Sequence, residues 1–178
     1  HSIIHAPLVT EKGLETCAKY NIGIAAQPSL LHLNLEPLSY LEKILGKRAF
    51  EISPFRTLLD MGIHISGGSD APVTFPDPAF GIYCACNHFN RDQSVSVMEA
   101  LKMFTYETAW AGFDDKKRGS LEPGKYADMV VLDKNPLKMK KENLAELKTE
   151  TLYLKGNPYK KGQKLSSLLW NSLFSRRS

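Results

Sequence analysis

Three short apolar runs, each closed by turn-forming or polar residues and separated from the next by stretches with helical spacing, constrain this chain more than any other feature. Ser2–Ile4 runs up to His5, Ile22–Ala26 ends at Gln27-Pro28, and Ile63–Ser66 ends at Gly67-Gly68-Ser69-Asp70. Thr10 offers an N-cap to a helix in which Leu14, Cys17 and Ala18 recur, with Asn21 at its exit. Ser53-Pro54 reads as a cap followed by proline at the first helical position. Leu58, Leu59 and Met61 line a face of that helix, and Gly62 stops it. Ser96 and Glu99 form a capping box for a third helix carrying Ala100, Leu101, Phe104 and Ala109, which stops near Gly112. Strand, helix, strand, helix, strand is the signature of an α/β chain with a parallel sheet.

The character changes after about residue 118. Glu122-Pro123-Gly124 is a turn, Ala127–Leu132 a β run, Asn143–Leu147 a short helical stretch, and Thr149–Lys155 a second alternating run before Gly156-Asn157-Pro158. These strands predict a small sheet beside the βα layers. The tail from 161 places Leu165, Leu168, Leu169 and Leu173 on one helical face, which predicts a docked terminal helix. Charge divides in the same way: residues 1–110 hold 8 Lys/Arg against 11 Asp/Glu, and residues 111–178 hold 15 against 8. The basic half carries neither interleaved aromatics nor arginine clusters, so it reads as a solvated face and not a nucleic-acid surface. No apolar run approaches the roughly 18–20 residues of a membrane span. The start, His-Ser-Ile-Ile-His, has neither Met nor a leader pattern, and is expected to lie within a longer protein. Cys17, Cys84 and Cys86 are an odd number at spacings that suit no metal knuckle, and read as semi-buried thiols of a cytoplasmic protein.

In parallel βα folds, functional side chains gather where strands end at the carboxyl edge of the sheet. His5 follows the first apolar run and Asp70 the third. Strand spacing of about 4.8 Å puts the ends of a first and third strand roughly 10 Å apart, a gap two inward side chains can close on one ion. An imidazole with a carboxylate suits zinc, and less specifically manganese or iron. Taken singly, His5 reads equally as a hydrogen-bonded core histidine, and Asp70 as an Asx turn or helix cap.

The run Gly68-Ser69-Asp70-Ala71-Pro72-Val73, followed by Asp77-Pro78, Gly81-Ile82, Glu99-Ala100-Leu101, Thr105 and Ala109, resembles the metal-dependent amidohydrolase superfamily in the order of its motifs. The segment from Gly119 through Leu121-Glu122-Pro123-Gly124-Lys125-Tyr126-Ala127-Asp128 to Asp133 resembles that superfamily's return from its barrel into a small β-sandwich. Ile4-His5-Ala6, Gln27-Pro28, Leu45-Gly46, Arg48 and Gly62 are similar to the branch called amidohydrolase family 3, which contains N-substituted formamide deformylase-like enzymes. The resemblance runs from residue 1 to about 157.

It implies the C-terminal part of a (β/α)8 TIM-like barrel, about strands 6–8, over residues 1–118, and part of a β-sandwich over 119–160. It implies His5 as a metal ligand at the end of the sixth strand, or in mononuclear members as a group that orients substrate and water, and Asp70 as metal contact and proton shuttle at the end of the eighth. Gln27 and Arg48 become substrate contacts, although Gln27 reads equally as capping a strand end and Arg48 as pairing on the surface. The implied cofactor is a divalent metal, zinc foremost. The implied reaction is hydrolysis of non-peptide C–N bonds, in amide or formamide-type small molecules, by metal-activated water. Deaminase and cyclic-amidase chemistry within the superfamily and a non-catalytic binding or scaffold remnant stand as alternatives. The His-x-His pair that opens the family pattern occurs nowhere here, and His1, His32, His64 and His88 do not match the other ligand positions. A catalytic zinc site takes three protein ligands plus water. With two donors assigned, and 178 residues where a complete barrel takes at least about 200, the remaining barrel half is expected in the same or a separate polypeptide. This chain alone is then expected to be inactive.

Overall fold

The computed structural model describes residues 1–32 and 37–159. Its first sheet is parallel, with β1 (Ser2–Ile4), β2 (Gly23–Ala26) and β3 (Ile65–Gly67) in that order. Ile24 at the centre pairs with Ile3 on one side and Ile65 on the other. Helix α1 (Glu11–Lys19) connects β1 to β2, and Thr10 accepts from the Gly13 N–H as its cap. Between β2 and β3 come a 3-10 turn (Pro28–His32), α2 (Leu38–Leu45), a second 3-10 turn (Gly46–Glu51) and α3 (Phe55–Asp60). After β3 follow α4 (Pro78–Cys86), α5 (Val97–Met103) and α6 (Tyr106–Ala111). Strands β4 (Met129–Leu132), β5 (Thr149–Leu154) and β6 (Asn157–Pro158) make a separate antiparallel sheet with a bulge between Val131 and Leu132. The fold class is α/β.

Several boundaries differ from expectation, each for a local reason. The third strand starts at Ile65, not Ile63, because the helix before it ends late. Gly62 takes φ +70° and the Ile63 N–H returns to the Leu58 carbonyl, so Ile63 and His64 are still leaving the helix. Ser53 does not cap α3. It sits at φ +53° and donates its N–H to the Pro7 carbonyl, leaving Pro54 as the cap residue. The long helix expected from Ser96 to Gly112 is two helices. Its capping box forms, but the helix breaks at Phe104-Thr105, where the Phe104 ring wedges between Gly67 and Gly81. A Cβ on Gly81 would lie 2.3 Å from that ring. The absent side chain therefore lets α5 approach α4. The expected helical stretch 143–147 is a 3-10 turn (Lys141–Glu146), and the terminal helix expected over 165–174 lies outside the described residues.

The core draws on both sheets' surroundings. Ile24, Ile65, Phe55, Leu58 and Met103 are at most 1% exposed, and Leu144 from the 141–146 turn joins them at 0%. That turn is tied down by Asn87, whose Nδ2 donates to the Lys141 carbonyl, and by Lys141 Nζ donating to the Val95 carbonyl. The cysteines are fully buried, not semi-buried. Burial pushes the Cys84 thiol up to about 12 and Cys86 up to about 11, so both stay as inert thiols at neutral pH. By contrast, every residue of β1 is exposed, with Ile4 at 66%.

One ion pair joins α3 to α5. The Arg56 guanidinium beside Glu99, together with the Ser96 N–H, holds the Glu99 carboxyl down at about 2 from an ordinary 4.5. A depressed carboxyl stabilises the fold above its unfolded value, and that stabilisation fades as the pH falls from about 4.5 towards 2. Because the pair is nearly a third exposed, Glu99→Gln is expected to cost only about 1 kcal/mol at pH 7. Urea midpoints should show that cost shrinking below pH 4.5, and a cost that grows on acidification would contradict the assignment.

Candidate active site

Both predicted metal-binding side chains leave strand ends through backbone turns that most residues avoid. His5 has φ +66° and Ala6 φ +46°, with the His5 N–H held by the Ala25 carbonyl at 2.9 Å. Asp70 has φ +56° after β3, and its own carbonyl accepts from the Val73 N–H at 2.8 Å. His and Asp are among the residues that tolerate this left-handed region, which recurs at functional sites. His5 Nε2 and Asp70 Oδ2 lie 3.9 Å apart, both partly open to solvent. Two ligands of a tetrahedral zinc at about 2.1 Å each stand about 3.4 Å apart, so closure by about half an ångström would seat one ion. Imidazole and carboxylate are also the right donor types. Among the described residues no group of three or more His, Cys, Asp or Glu surrounds a common point.

Beside His5 opens a cleft of about 290 Å³, walled by Leu30, Leu31, Leu41, Ile52 and Phe89 and lined also by Gln27. Gln27 follows β2, between the two metal-side residues. Its Nε2 donates to the Ala25 carbonyl at 2.9 Å, while its Oε1 is buried with no partner among the described residues. Arg48 is not brought to this place. The 3-10 turn Gly46–Glu51 buries Ala49 and sends Arg48 into solvent, and Arg48 does not line the cleft.

Sequence reasoning passes over His88, which the fold makes the support of the cleft wall. It is 0% exposed, and its Nε2–H donates to the Ile52 and Ser53 carbonyls at 3.1 and 3.2 Å. Its Nδ1 accepts the Asn90 N–H at 3.0 Å, so the ring is the neutral Nε2–H tautomer, and burial lowers its pKa. Ser53 in turn holds Pro7, two residues beyond His5. His64, expected inside a strand, precedes β3. Its Nδ1 lies 2.6 Å from Glu107 Oε2, and its ring stacks on Trp110 at 3.9 Å, clamping α6 to the sheet. His32 packs on Phe80 and Tyr83. Neither His32 nor His64 lines the cleft beside His5.

Comparison with known proteins decides the family. A family model described as the amidohydrolase family matches residues 1–159. The chain belongs to the amidohydrolase family. Among curated relatives, this amidohydrolase-family chain is similar to YtcJ of Bacillus subtilis, 28% identical over 165 residues, covering 86% of this chain and 31% of that one. It is also similar to the N-substituted formamide deformylase of Arthrobacter pascens, 32% identical over 113 residues, covering 60% of this chain and 21% of that one. Among solved structures, an uncharacterised metal-dependent hydrolase from Pyrococcus furiosus aligns with TM-score 0.65 and 28% identity, covering 77% of this chain and 29% of that one. An adenosine deaminase from Xanthomonas campestris with bound zinc shares the fold at TM-score 0.67 and 19% identity, over 97% of this chain and 40% of that one. The amidohydrolase-family chain thus spans about a third or less of the curated relatives' length. No described helix is long and apolar enough to cross a membrane.

Proposed function

We propose that this chain is the carboxyl-terminal share of a metal-dependent amidohydrolase that cleaves C–N bonds of small amide or formamide-type molecules. The observation that carries the reading is the convergence of His5 Nε2 and Asp70 Oδ2 to 3.9 Å at one rim of a parallel sheet. In this reading residues 1–118 are the last three strands of a barrel with their helices, residues 119–160 belong to a β-sandwich, and the other metal ligands come from further polypeptide. The open state of the sheet supports this. All of β1 is exposed, and β1 and β3 each lack a second neighbour among the described residues. A larger groove of about 870 Å³, lined by Leu101, Phe104, Leu132 and Leu152 among others, runs between the helices and the antiparallel sheet. It offers the additional polypeptide an apolar seat.

His5 would hold a divalent ion through Nε2, with Asp70 Oδ2 beside it. The ion would supply polarisation of the substrate carbonyl and a lowered pKa for an attacking water. Asp70 takes that water's proton as the new C–O bond forms. It then delivers the proton to the nitrogen as the C–N bond breaks, sparing the nitrogen from leaving as an amide anion. The positive-φ turns at His5 and Asp70 hold both side chains towards one point.

By itself, the 178-residue chain is expected to retain only substoichiometric zinc after desalting and to turn over no amide. Metal analysis together with an amide-hydrolysis assay checks this. Stoichiometric zinc with turnover would overturn the claim that further ligands lie elsewhere, and His5→Ala should abolish the residual zinc.

A further inference from the structure

We propose that residues 165–174 of this chain dock as an amphipathic helix in the larger groove between the helices and the antiparallel sheet. This docking is independent of the proposed hydrolysis, and residues 160–178 lie outside the family match. Among the described residues, Ile82, Leu101 and Phe104 line the groove from the helices, and Met129, Leu132 and Leu152 line it from the sheet. At about 870 Å³ it has about six times the roughly 150 Å³ that holds one benzene, which is room for four leucines and an aromatic ring together. A helix over 165–174 carries those groups. It sets Leu165, Leu168, Leu169 and Leu173 on one face with Trp170 and Phe174 beside it, along about 15 Å of axis. Ten residues make a marginal helix in water, so this one gains its stability by burying that face.

Position and charge both favour this occupant. The Tyr159 N–H donates to the Leu152 carbonyl at 2.7 Å, so the last described residue is tied to the groove wall. Residues 160–164 between Tyr159 and the helix reach at most about 17 Å when extended. A tether that short gives the segment an effective concentration in the millimolar range. On this chain the tail therefore holds the seat that further polypeptide would otherwise take. The groove lining holds Asp77, Asp114 and Asp128 against one base, Arg118. Arg118 is shared, lying 2.7 Å from Asp114 and 3.6 Å from Asp128, with Lys117 also near Asp114. Asp77 spends its side chain on the Ala79 and Phe80 N–H groups and keeps its charge. Residues 160–178 carry Lys160, Lys161, Lys164, Arg176 and Arg177 with no Asp or Glu, the complement of that lining.

A spin label tests the docking on the full chain. Cys17, Cys84 and Cys86 are at most 2% exposed, so a cysteine placed in the tail takes a nitroxide selectively. Ser166→Cys and Ser175→Cys chains are labelled in turn, and NMR signals of Leu, Ile and Met methyl groups are compared with the nitroxide oxidised and reduced. Between them the two labels should erase the signals of Leu101, Met129, Leu132 and Leu152. Leu14, Leu41 and Ile44, on α1 and α2, should keep theirs. Leu169→Asp in either labelled chain should restore the groove signals. If that variant does not fold, the two labelled chains still decide. A spin-labelled chain without isotopes, mixed with isotope-labelled chain lacking the nitroxide, should erase nothing. Loss of groove signals in that mixture would put the tail on a second copy and overturn the proposal. Even weakening of all seven signals would also overturn it, as would intact groove signals in a chain that sediments with phosphatidylcholine–phosphatidylserine vesicles, which would give the tail to a membrane surface. Neither zinc nor turnover enters the measurement, so its outcome stands whether or not the proposed hydrolysis does.

Discussion

His88→Ala is expected to destabilise the chain by about 3–4 kcal/mol, a large part of the 5–15 kcal/mol typical of a folded domain. The ring is fully buried against Phe55 and Phe89. Its loss leaves a cavity, strips the Ile52 and Ser53 carbonyls of their shared donor, and leaves the Asn90 N–H without its acceptor. His88→Gln, which keeps a donor and an acceptor, should recover part of the loss. The pH dependence separates this role from mere filling of space. Burial lowers the folded pKa of His88 below the ordinary 6.5, so the unfolded chain takes up the proton first, and stability falls as the pH drops through about 6.5. His32, partly desolvated beside Phe80 and Tyr83, is shifted the same way and adds to the slope. Urea midpoints at pH 7.5 and 5.5 should therefore converge in His88→Gln relative to the unaltered chain. An undiminished acid slope in that variant would refute the buried neutral tautomer.

If the proposed reaction holds, Asp70→Asn in a polypeptide that also supplies the proposed remaining ligands is expected to lower kcat for amide hydrolysis by about a thousandfold, within the range general acid–base groups contribute. The carboxamide matches the carboxylate in shape but cannot take a proton from water. Asn also tolerates the left-handed backbone at this position, where φ is +56°. The fold should not notice the change, because the Val73 N–H bonds to the backbone carbonyl of Asp70 and the side chain is 37% exposed. The variant should therefore unfold at an unchanged urea concentration with its KM close to that of the parent. A variant keeping more than about a tenth of kcat would remove Asp70 from proton transfer.

The two helices that escape the sequence reading do so for opposite reasons. Pro78–Cys86 buries Gly81, Ile82, Cys84, Ala85 and Cys86, apolar on nearly every side, so no face recurs to be counted. Its start was nonetheless legible in Asp77-Pro78, since Asp77 accepts from the Ala79 and Phe80 N–H groups as the cap. Leu38–Leu45 buries no residue fully, follows a proline that provides no side-chain cap, and shows only a half-covered apolar face. The break at Phe104 has no local signature either, because it depends on the gap left by two glycines on other elements.

The chain's own order of residues is enough to establish the three parallel strands, the capping of Thr10 and Ser96, and the placing of His5 and Asp70 at strand ends. Those features follow from backbone preferences and from burial within a few neighbouring residues. Tertiary structure alone decides that His5 and Asp70 close to 3.9 Å, that Gln27 faces a leucine wall while Arg48 turns to solvent, and that His88 supports that wall. His88 meets its carbonyl partners 35 and 36 residues back along the chain. Contacts at that separation arise from how whole elements pack, and no local period or cap records them.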